Sequence, residues 1–364
     1  MRLLLPALLA ASALALPALA DAADDPRIIA TDALMAAYQG PVPGAALLVL
    51  KDGQPLYTRG YGLASLEDNT AVDAHTNFRL ASVSKQFTAM AITLLAADGR
   101  LGLDDPLKQW LPGLPAATEA VTLRQLLVHS SGLIDYEDVM PQALDRQLRD
   151  ADVLAILKGQ DRTYFPPGSS YRYSNSGYAL LALVVEQASG QPYPEFLRQR
   201  IFLPLGMDNT HARTDDGPAI AHRAWGYSLI DGQWQRTDQS STSAVLGDGG
   251  IYSSLNDLAR WDAAQYDDRL LAQPWRAQLT TAGNPVHGEA DVSAYGLGLR
   301  LHQDLVWHSG ESIGFRNVQL RWPQQRLSVV VLSNRNDPEP YALARQVASL
   351  WGAPASMTAA AGTP

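Results

Sequence analysis

The N-terminal part of the chain carries one helical pattern followed by two strand patterns. Apolar residues recur with the spacing of a helix over 27–38, and strand-like runs follow over 45–50 and 56–61. Asp52 and Gly53 stand between the two runs, and this dipeptide is typical of a tight hairpin turn. The pattern therefore predicts a helix and then a β-hairpin near the start of the chain.

The middle of the chain, about 82–266, is mostly helical pattern interrupted by loops that contain proline and glycine. Helices are predicted over 123–128, 153–158, 178–188 and 255–266. Strand patterns return only near the C-terminus, and the last pattern of the chain is helical again. These late segments are three strands and one helix, over 295–301, 315–322, 327–332 and 341–350.

The order of these elements predicts an α+β fold. Strands at both ends with helices between them imply one antiparallel sheet, built from the N-terminal and C-terminal segments and flanked by helices, with a mostly helical lobe inserted. The predicted domains are a sheet lobe formed by 23–81 together with 285–352, a mainly helical lobe over 82–284, and a flexible tail over 353–364. Such a plan leaves a cleft between the lobes, where ligand sites are commonly found.

The first twenty residues, 1–20, fit a secretory signal peptide. One cation, Arg2, precedes an apolar stretch that ends in small residues at Ala20. Pro6 and Pro17 interrupt the stretch, which disfavours a membrane anchor, and no later stretch reaches the ~20 apolar residues of a spanning helix. We therefore expect cleavage near Ala20 and a periplasmic or secreted protein with no membrane span in its mature form.

The composition of the chain argues against several classes of binding partner and site. The chain has 28 basic and 37 acidic residues, a net charge of −9, so a nucleic-acid partner is not expected. It has no cysteine, which excludes disulfides and thiolate metal sites, and its seven histidines lack the spacing of a zinc hydrolase. No metal or cofactor is predicted, and the expected partner is a small-molecule or peptide substrate. The sequence does not indicate an oligomeric state.

Ser82 and Lys85 form the first candidate motif for chemistry. Three residues apart on a helix, the two side chains lie on one face, so the amine can reach the hydroxyl. The helix that Ser82 opens is predicted to be apolar nearly all round and hence buried. Burial disfavours a charged ammonium, so a lysine here can accept a proton, which an arginine cannot do. The structural alternative is a helix-capping serine beside a lysine whose charged end reaches solvent.

A second motif, Tyr173-Ser174-Asn175, is predicted to lie in a loop of the helical lobe. A tyrosine beside a lysine ammonium loses its proton more easily and can relay it. The asparagine amide can donate to a bound carbonyl and can also hold the amine of Lys85. The alternative is a packed tyrosine followed by a turn asparagine.

The third motif, His308-Ser309-Gly310-Glu311, follows a strand-like run near the C-terminus. A glycine on an edge strand lets a substrate backbone approach closely. The backbone amides of Glu311 and Ser82 are candidate donors of an oxyanion hole, the pair of N–H groups that stabilises a tetrahedral intermediate. The alternative is an edge-strand histidine beside a turn.

The combination of the three motifs is more specific than any one of them. All three, once each and in this order, are expected by chance in about one chain in a hundred. A competing pattern, Gly310 to Gly314 around Ser312, fits the nucleophile elbow of α/β-hydrolases, but that fold needs a histidine after the serine. His308 is the last histidine of the chain, so the elbow interpretation is disfavoured.

The three motifs together resemble those of the serine β-lactamase and penicillin-binding protein superfamily. The closer resemblance is to the class C branch, with its DD-carboxypeptidase, D-aminopeptidase and esterase relatives. Further similar stretches are 126–133, 173–178, 204–207 and 249–254. The resemblance implies that Ser82 is the nucleophile, that Lys85 and Tyr173 transfer protons, and that the third motif and Asn175 face the substrate. The substrate-binding residues predicted are Asn175, His308, Ser309 and Gly310.

The third motif departs from the pattern of true β-lactamases of this branch. Most of these enzymes carry lysine and then threonine where this chain has His308 and Ser309, and a histidine there resembles the peptidase and esterase relatives. A permanent cation is thereby replaced by one that fades as pH rises above ~6.5. We therefore expect an exported serine hydrolase, peptidase-like or esterase-like, that forms an acyl-enzyme on amide or ester substrates. The alternatives are a penicillin-binding or sensor protein that is acylated without turnover, and a true class C-type β-lactamase.

Overall fold

The computed structural model describes residues 25–214, 217 and 219–354. The predicted signal peptide, 1–20, lies outside the described residues, as does the predicted tail beyond residue 354. Within the part of the chain that the structure describes, no helix is both long enough and apolar enough to cross a membrane.

The described residues form fourteen strands and twelve α-helices. The strands are β1 (Ala45–Lys51), β2 (Gln54–Tyr61), β3 (Leu63–Ser65), β4 (Thr70–Ala71), β5 (Phe78–Arg79), β6 (His211–Ala212), β7 (Tyr227–Ile230), β8 (Gln233–Arg236), β9 (Ile251–Ser253), β10 (Ala294–Tyr295), β11 (Arg300–His302), β12 (Leu305–Ser312), β13 (Phe315–Trp322) and β14 (Leu327–Ser333). The helices are α1 (Pro26–Leu34), α2 (Lys85–Ala97), α3 (Leu107–Trp110), α4 (Leu123–Leu127), α5 (Asp150–Lys158), α6 (Asn175–Ser189), α7 (Tyr193–Leu197), α8 (Leu203–Leu205), α9 (Leu246–Gly249), α10 (Leu255–Ala263), α11 (Gln273–Gln278) and α12 (Tyr341–Leu350). Short 3₁₀ segments include Ala81–Ser84 and Tyr136–Asp138.

One antiparallel sheet joins the two ends of the chain, as the sequence predicts. Its seven strands follow the order β10-β11-β12-β13-β14-β1-β2, so the N-terminal hairpin pairs with the last strand of the C-terminal part. Asp52 and Gly53 have φ angles of 53° and 75°, the left-handed conformation that a two-residue hairpin turn requires. The predicted α+β fold and the predicted hairpin are both confirmed.

Each face of the sheet covers a separate hydrophobic core. Because side chains alternate along a strand, Ala46, Leu48 and Leu50 pack on the large core with the helices of the middle region. Their neighbours Leu47 and Val49 pack on the opposite face, in a smaller core that α1 and α12 cover. β1 and β14 are buried on both faces, which explains why they are almost entirely apolar.

Two local predictions are wrong. The run 295–301 is not one strand: β10 and β11 form a hairpin, and Gly298 in its turn has a φ of 76°. A Cβ on Gly298 would lie 2.8 Å from the carbonyl oxygen of Lys85, so this turn packs directly on the start of α2. Ser82 does not open that helix, because it lies in the preceding 3₁₀ turn and α2 begins at Lys85.

Candidate active site

The 3₁₀ turn Ala81–Ser84 holds Ser82, the predicted nucleophile, in a half-buried position between the two parts of the molecule. Ala81 has a φ of 50°, a left-handed conformation that is uncommon for a residue other than glycine. The flanking hydrogen bonds secure it: the N–H of Leu80 donates to the carbonyl of Ile251 at 2.8 Å, and the N–H of Ile251 donates to Ser84 Oγ at 3.1 Å. The serine is therefore presented by a turn that β9 supports.

Lys85 makes three hydrogen bonds with its fully buried amine. Nζ donates to Ser82 Oγ at 3.0 Å, to Asn175 Oδ1 at 2.7 Å and to the carbonyl oxygen of Asp248 at 2.9 Å. These contacts use all three N–H groups of an ammonium. The predicted contact between Ser82 and Lys85 is present, and so is the predicted contact between Asn175 and the amine. The predicted burial of α2 is also confirmed, since every residue from Lys85 to Ala96 is buried.

The sequence pattern predicts that Asn175 lies in a loop, but in the structure Asn175 is the first residue of α6. Its backbone N–H donates to Asp135 Oδ2 at 2.6 Å, and this bond satisfies an N–H group that the helix itself leaves unpaired. The helix start thus aims the Asn175 side chain at Lys85. Asp135 belongs to a segment just after the similar stretch 126–133, and sequence reasoning missed it.

Tyr173 lies beside Lys85, with its ring centroid 4.9 Å from Nζ. Its ring is half-buried and packs against the ring of His129, with the centroids 4.3 Å apart. Its hydroxyl has no hydrogen-bond partner among the residues that the structure describes, which leaves it open to the cleft. The structure therefore brings the hydroxyl of Ser82, the amine of Lys85 and the phenol of Tyr173 together.

His129 is buried and uncharged, and sequence reasoning missed it as a site residue. Its Nδ1 accepts a hydrogen bond from the N–H of Ser174 at 3.2 Å, so this nitrogen carries no proton. Burial above all, and then the positive charge of Lys85, lowers the pKa of His129 well below its ordinary value. His129 thus supports the ring of Tyr173 as a neutral aromatic surface.

His308 is not the titratable cation that the sequence predicts, and that prediction is wrong. The residue is 1% exposed; its Nδ1 donates to the carbonyl of Ser309 at 2.6 Å, and its Nε2 lies 2.7 Å from Tyr295 OH. A hydroxyl can donate to Nε2, so this pair of partners satisfies a neutral imidazole with one donor and one acceptor. Burial, followed by the charges of Arg300 and Lys85, lowers the pKa of His308 well below its ordinary value.

Arg300 is the permanent cation on this side of the cleft, and sequence reasoning missed it. Its guanidinium donates to Ser309 Oγ at 2.8 Å and lies 5.7 Å from the ring centroid of Tyr173. The residue lies at the start of β11, directly after the glycine-containing turn of the β10–β11 hairpin. The only signal in the sequence was an arginine next to those glycines, and the prediction of one continuous strand over 295–301 obscured it.

Gly310 is required by a contact within the chain. A Cβ there would lie 2.0 Å from the carbonyl oxygen of Leu80 and 3.3 Å from a methyl group of Val83. The sequence predicts that a substrate backbone approaches this glycine, whereas the close approach in the structure is made by the chain itself, at Leu80 and the turn Ala81–Ser84. Glu311 follows, and its exposed side chain forms an ion pair with Arg316 at 2.6 Å.

The edge-strand prediction holds for half of β12. β11 pairs with β12 only along Leu305, Val306 and Trp307, so the segment from Ser309 onward has a strand on one side alone.

Among the described residues there is no group of three or more histidine or acidic side chains that could hold a metal ion.

Comparisons with known proteins support this description of the fold. Residues 30–350 match the family model described as Beta-lactamase. The chain is 33% identical over 319 residues to Penicillin-binding protein 4* of Bacillus subtilis (strain 168), a match that covers 81% of this chain and 69% of that protein. It spans between 60% and 69% of the length of the curated relatives that it matches first.

Two solved structures are similar over most of the chain. The penicillin binding protein from Bacillus halodurans has 28% identity and a TM-score of 0.77, over 88% of this chain and 98% of that one. The D-amino acid amidase from Ochrobactrum anthropi SV3, complexed with L-phenylalanine amide, has 27% identity and a TM-score of 0.76, over 90% of this chain and 96% of that one.

Proposed function

The chain belongs to the Beta-lactamase family of serine hydrolases, and we propose that it is an exported enzyme that hydrolyses amide or ester substrates through a covalent acyl-enzyme. The observation that carries this proposal is the position of the Lys85 amine, which is fully buried and within hydrogen-bond distance of both Ser82 Oγ and Asn175 Oδ1. A hydroxyl and an amine held in this way form an activated nucleophile.

In the first step Ser82 Oγ attacks the substrate carbonyl carbon and its proton passes to the pair formed by Lys85 and Tyr173. The carbonyl oxygen becomes an oxyanion, which the backbone amides of Ser82 and Glu311 stabilise. The leaving group departs with the transferred proton, and the acyl group stays on Ser82. Water then attacks the ester, gives up one proton to the same pair, and releases the acid and the free serine.

The charge distribution of the cleft favours a substrate with a carboxylate near the third motif. The Arg300 guanidinium contacts Ser309 Oγ at 2.8 Å and lies 4.0 Å from the carboxylate of Glu289. A guanidinium binds a carboxylate through parallel hydrogen bonds. The similarity to a D-amino acid amidase and to penicillin-binding proteins supports amides and short peptides as substrates ahead of β-lactams.

The test replaces the proposed nucleophile and the serine of the competing elbow motif. Ser82→Ala is expected to abolish covalent labelling by a fluorophosphonate and hydrolysis of a short-chain nitrophenyl ester. Ser312→Ala is the matched control and is expected to retain both. Labelling that persists in Ser82→Ala, or that is lost in Ser312→Ala, would overturn the assignment.

A second candidate function is acylation without turnover, which the penicillin-binding relative favours. A chromogenic cephalosporin and D-alanyl peptides distinguish the two functions. An enzyme releases product in many equivalents, whereas a sensor binds one equivalent of the cephalosporin covalently and then stops. We expect repeated turnover of the peptides or of the ester.

Export is the remaining part of the proposal. The N-terminal sequence of the protein collected outside the cytoplasm is expected to begin at Asp21, directly after the predicted cleavage at Ala20. An unprocessed chain that stays in the cytoplasm would contradict it.

A further inference from the structure

The turn after α4 places a histidine where helices commonly place glycine. The N–H of His129 donates to the carbonyl of Leu126 at 3.2 Å, and the N–H of Ser130 donates to the carbonyl of Gln125 at 2.8 Å. These two bonds form a Schellman motif, and His129 occupies its left-handed position with a φ of 57°. Because glycine adopts that conformation without strain, the turn by itself gives no reason for a side chain as large as histidine.

The buried histidine ring also leaves one of its nitrogens unsatisfied. His129 is 2% exposed, and its Nε2 has no hydrogen-bond partner among the residues that the structure describes. Since Nδ1 accepts a hydrogen bond, Nε2 carries the proton, and a buried N–H group without a partner costs free energy. A phenylalanine ring would avoid that cost. Within the described part of the chain, the hydrogen bond at Nδ1 is therefore what distinguishes this histidine from an apolar ring.

His129 contacts three consecutive residues of the segment that leads into α6. Its carbonyl oxygen accepts from the N–H of Arg172 at 3.0 Å. Its ring packs on the ring of Tyr173 with the centroids 4.3 Å apart, and its Nδ1 accepts from the N–H of Ser174 at 3.2 Å. The residues on both sides of Tyr173 are thus bound to the same histidine through their backbone N–H groups. Only the contacts of the ring depend on which side chain is present.

We propose that His129 is a positioning residue for Tyr173. The hydrogen bond from the Ser174 N–H to Nδ1 fixes the backbone next to Tyr173, so that the phenol stays beside the Lys85 amine, 4.9 Å from its ring centroid. This inference rests on the proposed function, because it concerns the pair that takes the proton from Ser82. Proton transfer requires hydrogen-bond distance, so a phenol displaced with its backbone would transfer the proton more slowly.

The experiment compares two substitutions that separate the ring from its nitrogen. His129→Asn keeps an acceptor, because the asparagine Oδ1 is bonded to Cγ as Nδ1 is, and asparagine tolerates a positive φ. His129→Phe keeps a ring but leaves the N–H of Ser174 unpaired. For a short-chain nitrophenyl ester, kcat/KM should fall by about tenfold or more in His129→Phe and by less than about threefold in His129→Asn.

A double-mutant cycle with Tyr173→Phe shows whether His129 acts through the phenol. Tyr173→Phe alone should lower kcat/KM by about a hundredfold or more, the contribution of a positioned proton-transfer group. Because the hydroxyl is then absent, adding His129→Phe should change kcat/KM by less than about twofold. A purely structural effect, or one exerted through Asn175, would lower kcat/KM by the same factor in both backgrounds.

Leu47→Ala is the matched control for loss of stability. Leu47 packs in the smaller core on the opposite face of the sheet, so its truncation should destabilise the protein and leave kcat/KM as in the wild type. Circular dichroism and gel filtration establish that each variant is folded. If His129→Phe does not fold, His129→Gly takes its place in every measurement, because glycine suits the positive φ and has no acceptor.

Two results would overturn this inference. One is an equal loss of kcat/KM in His129→Phe and His129→Asn, and the other is the full effect of His129→Phe in the Tyr173→Phe background. Esterase activity that survives in Ser82→Ala would instead overturn the proposed function, so the two failures are distinguishable.

Discussion

Positive charges that lie close together repel each other, and this repulsion affects which side chains around Ser82 are charged. Lys85 and Arg300 bring two positive groups to the cleft, and a buried histidine between them would add a third. The structure keeps both neighbouring histidines neutral, because each has hydrogen-bond partners that suit an uncharged ring and each has a lowered pKa. Arg300 is then the side chain that we propose for binding a negative group of the substrate.

The first prediction concerns Arg300. Arg300→Gln should reduce by about tenfold or more the ratio of kcat/KM for a D-alanyl peptide with a free carboxylate to that for the same peptide amidated, because a hydrogen bond to a charged group is worth about 1.5–3 kcal/mol. Arg345→Gln removes a guanidinium that binds Asp291 elsewhere, and the ratio should stay as in the wild type. An unchanged ratio in Arg300→Gln would remove carboxylate recognition from this side chain.

At the scale of the elements, the turn Ala81–Ser84 that carries Ser82 has close backbone contacts on two sides. β12 reaches it at Gly310, and the β10–β11 hairpin reaches the following lysine at Gly298. Neither contact leaves room for a Cβ, so both strands pack directly against the turn and the start of α2. A change that separates them should disturb activity before it unfolds the sheet.

The second prediction concerns that separation. Gly310→Ala would place a Cβ 2.0 Å from the carbonyl oxygen of Leu80, and the strain should destabilise the protein by about 3 kcal/mol and strongly reduce fluorophosphonate labelling of Ser82. Gly159→Ala is the control, since its Cβ would be 3.4 Å from the nearest atom and its φ is −88°. Urea denaturation and labelling rates measure both effects. A Gly310→Ala protein that labels at the wild-type rate would show that β12 does not fix the turn.

At the scale of the whole molecule, buried acids and buried histidines give stability opposite dependences on pH. The folded protein keeps a proton on Asp248 up to about pH 8, whereas the unfolded chain loses it near pH 4, so this residue makes stability fall as pH rises in between. His129 and His308 are neutral when folded and take up protons when unfolded below about pH 6.5, so they make stability fall as pH drops.

The third prediction compares the wild type with Asp248→Asn, because the contribution of the histidines is the same in both proteins and cancels in the difference. Between pH 6.5 and 8 the free energy of unfolding of the wild type should decrease relative to that of Asp248→Asn by up to about 1.4 kcal/mol per pH unit, the value for one proton. Urea denaturation at three pH values within this range measures the difference, and an equal slope in both proteins would mean that Asp248 is already ionised at neutral pH.

Local patterns in the sequence determined the elements and the candidate chemistry. The spacing of apolar residues predicted the strand β13 and the helix α12 with their observed bounds, because the periods of strands and helices are properties of neighbouring residues. The spacing of Ser82 and Lys85 likewise predicted a contact that the structure contains, since a distance of three residues fixes geometry within one turn.

Only the tertiary structure decided the charge of each group and the reason for the glycine in the third motif. His308 is neutral because Tyr295, Arg300 and Lys85 surround it in a buried space, and no pattern along the chain reports that surrounding. Arg300, His129 and Asp248 come from distant segments, so their relation to Ser82 exists only after the two ends of the chain have closed one sheet. The state of an ionisable group depends on solvent exposure and nearby charge, and folding alone sets both.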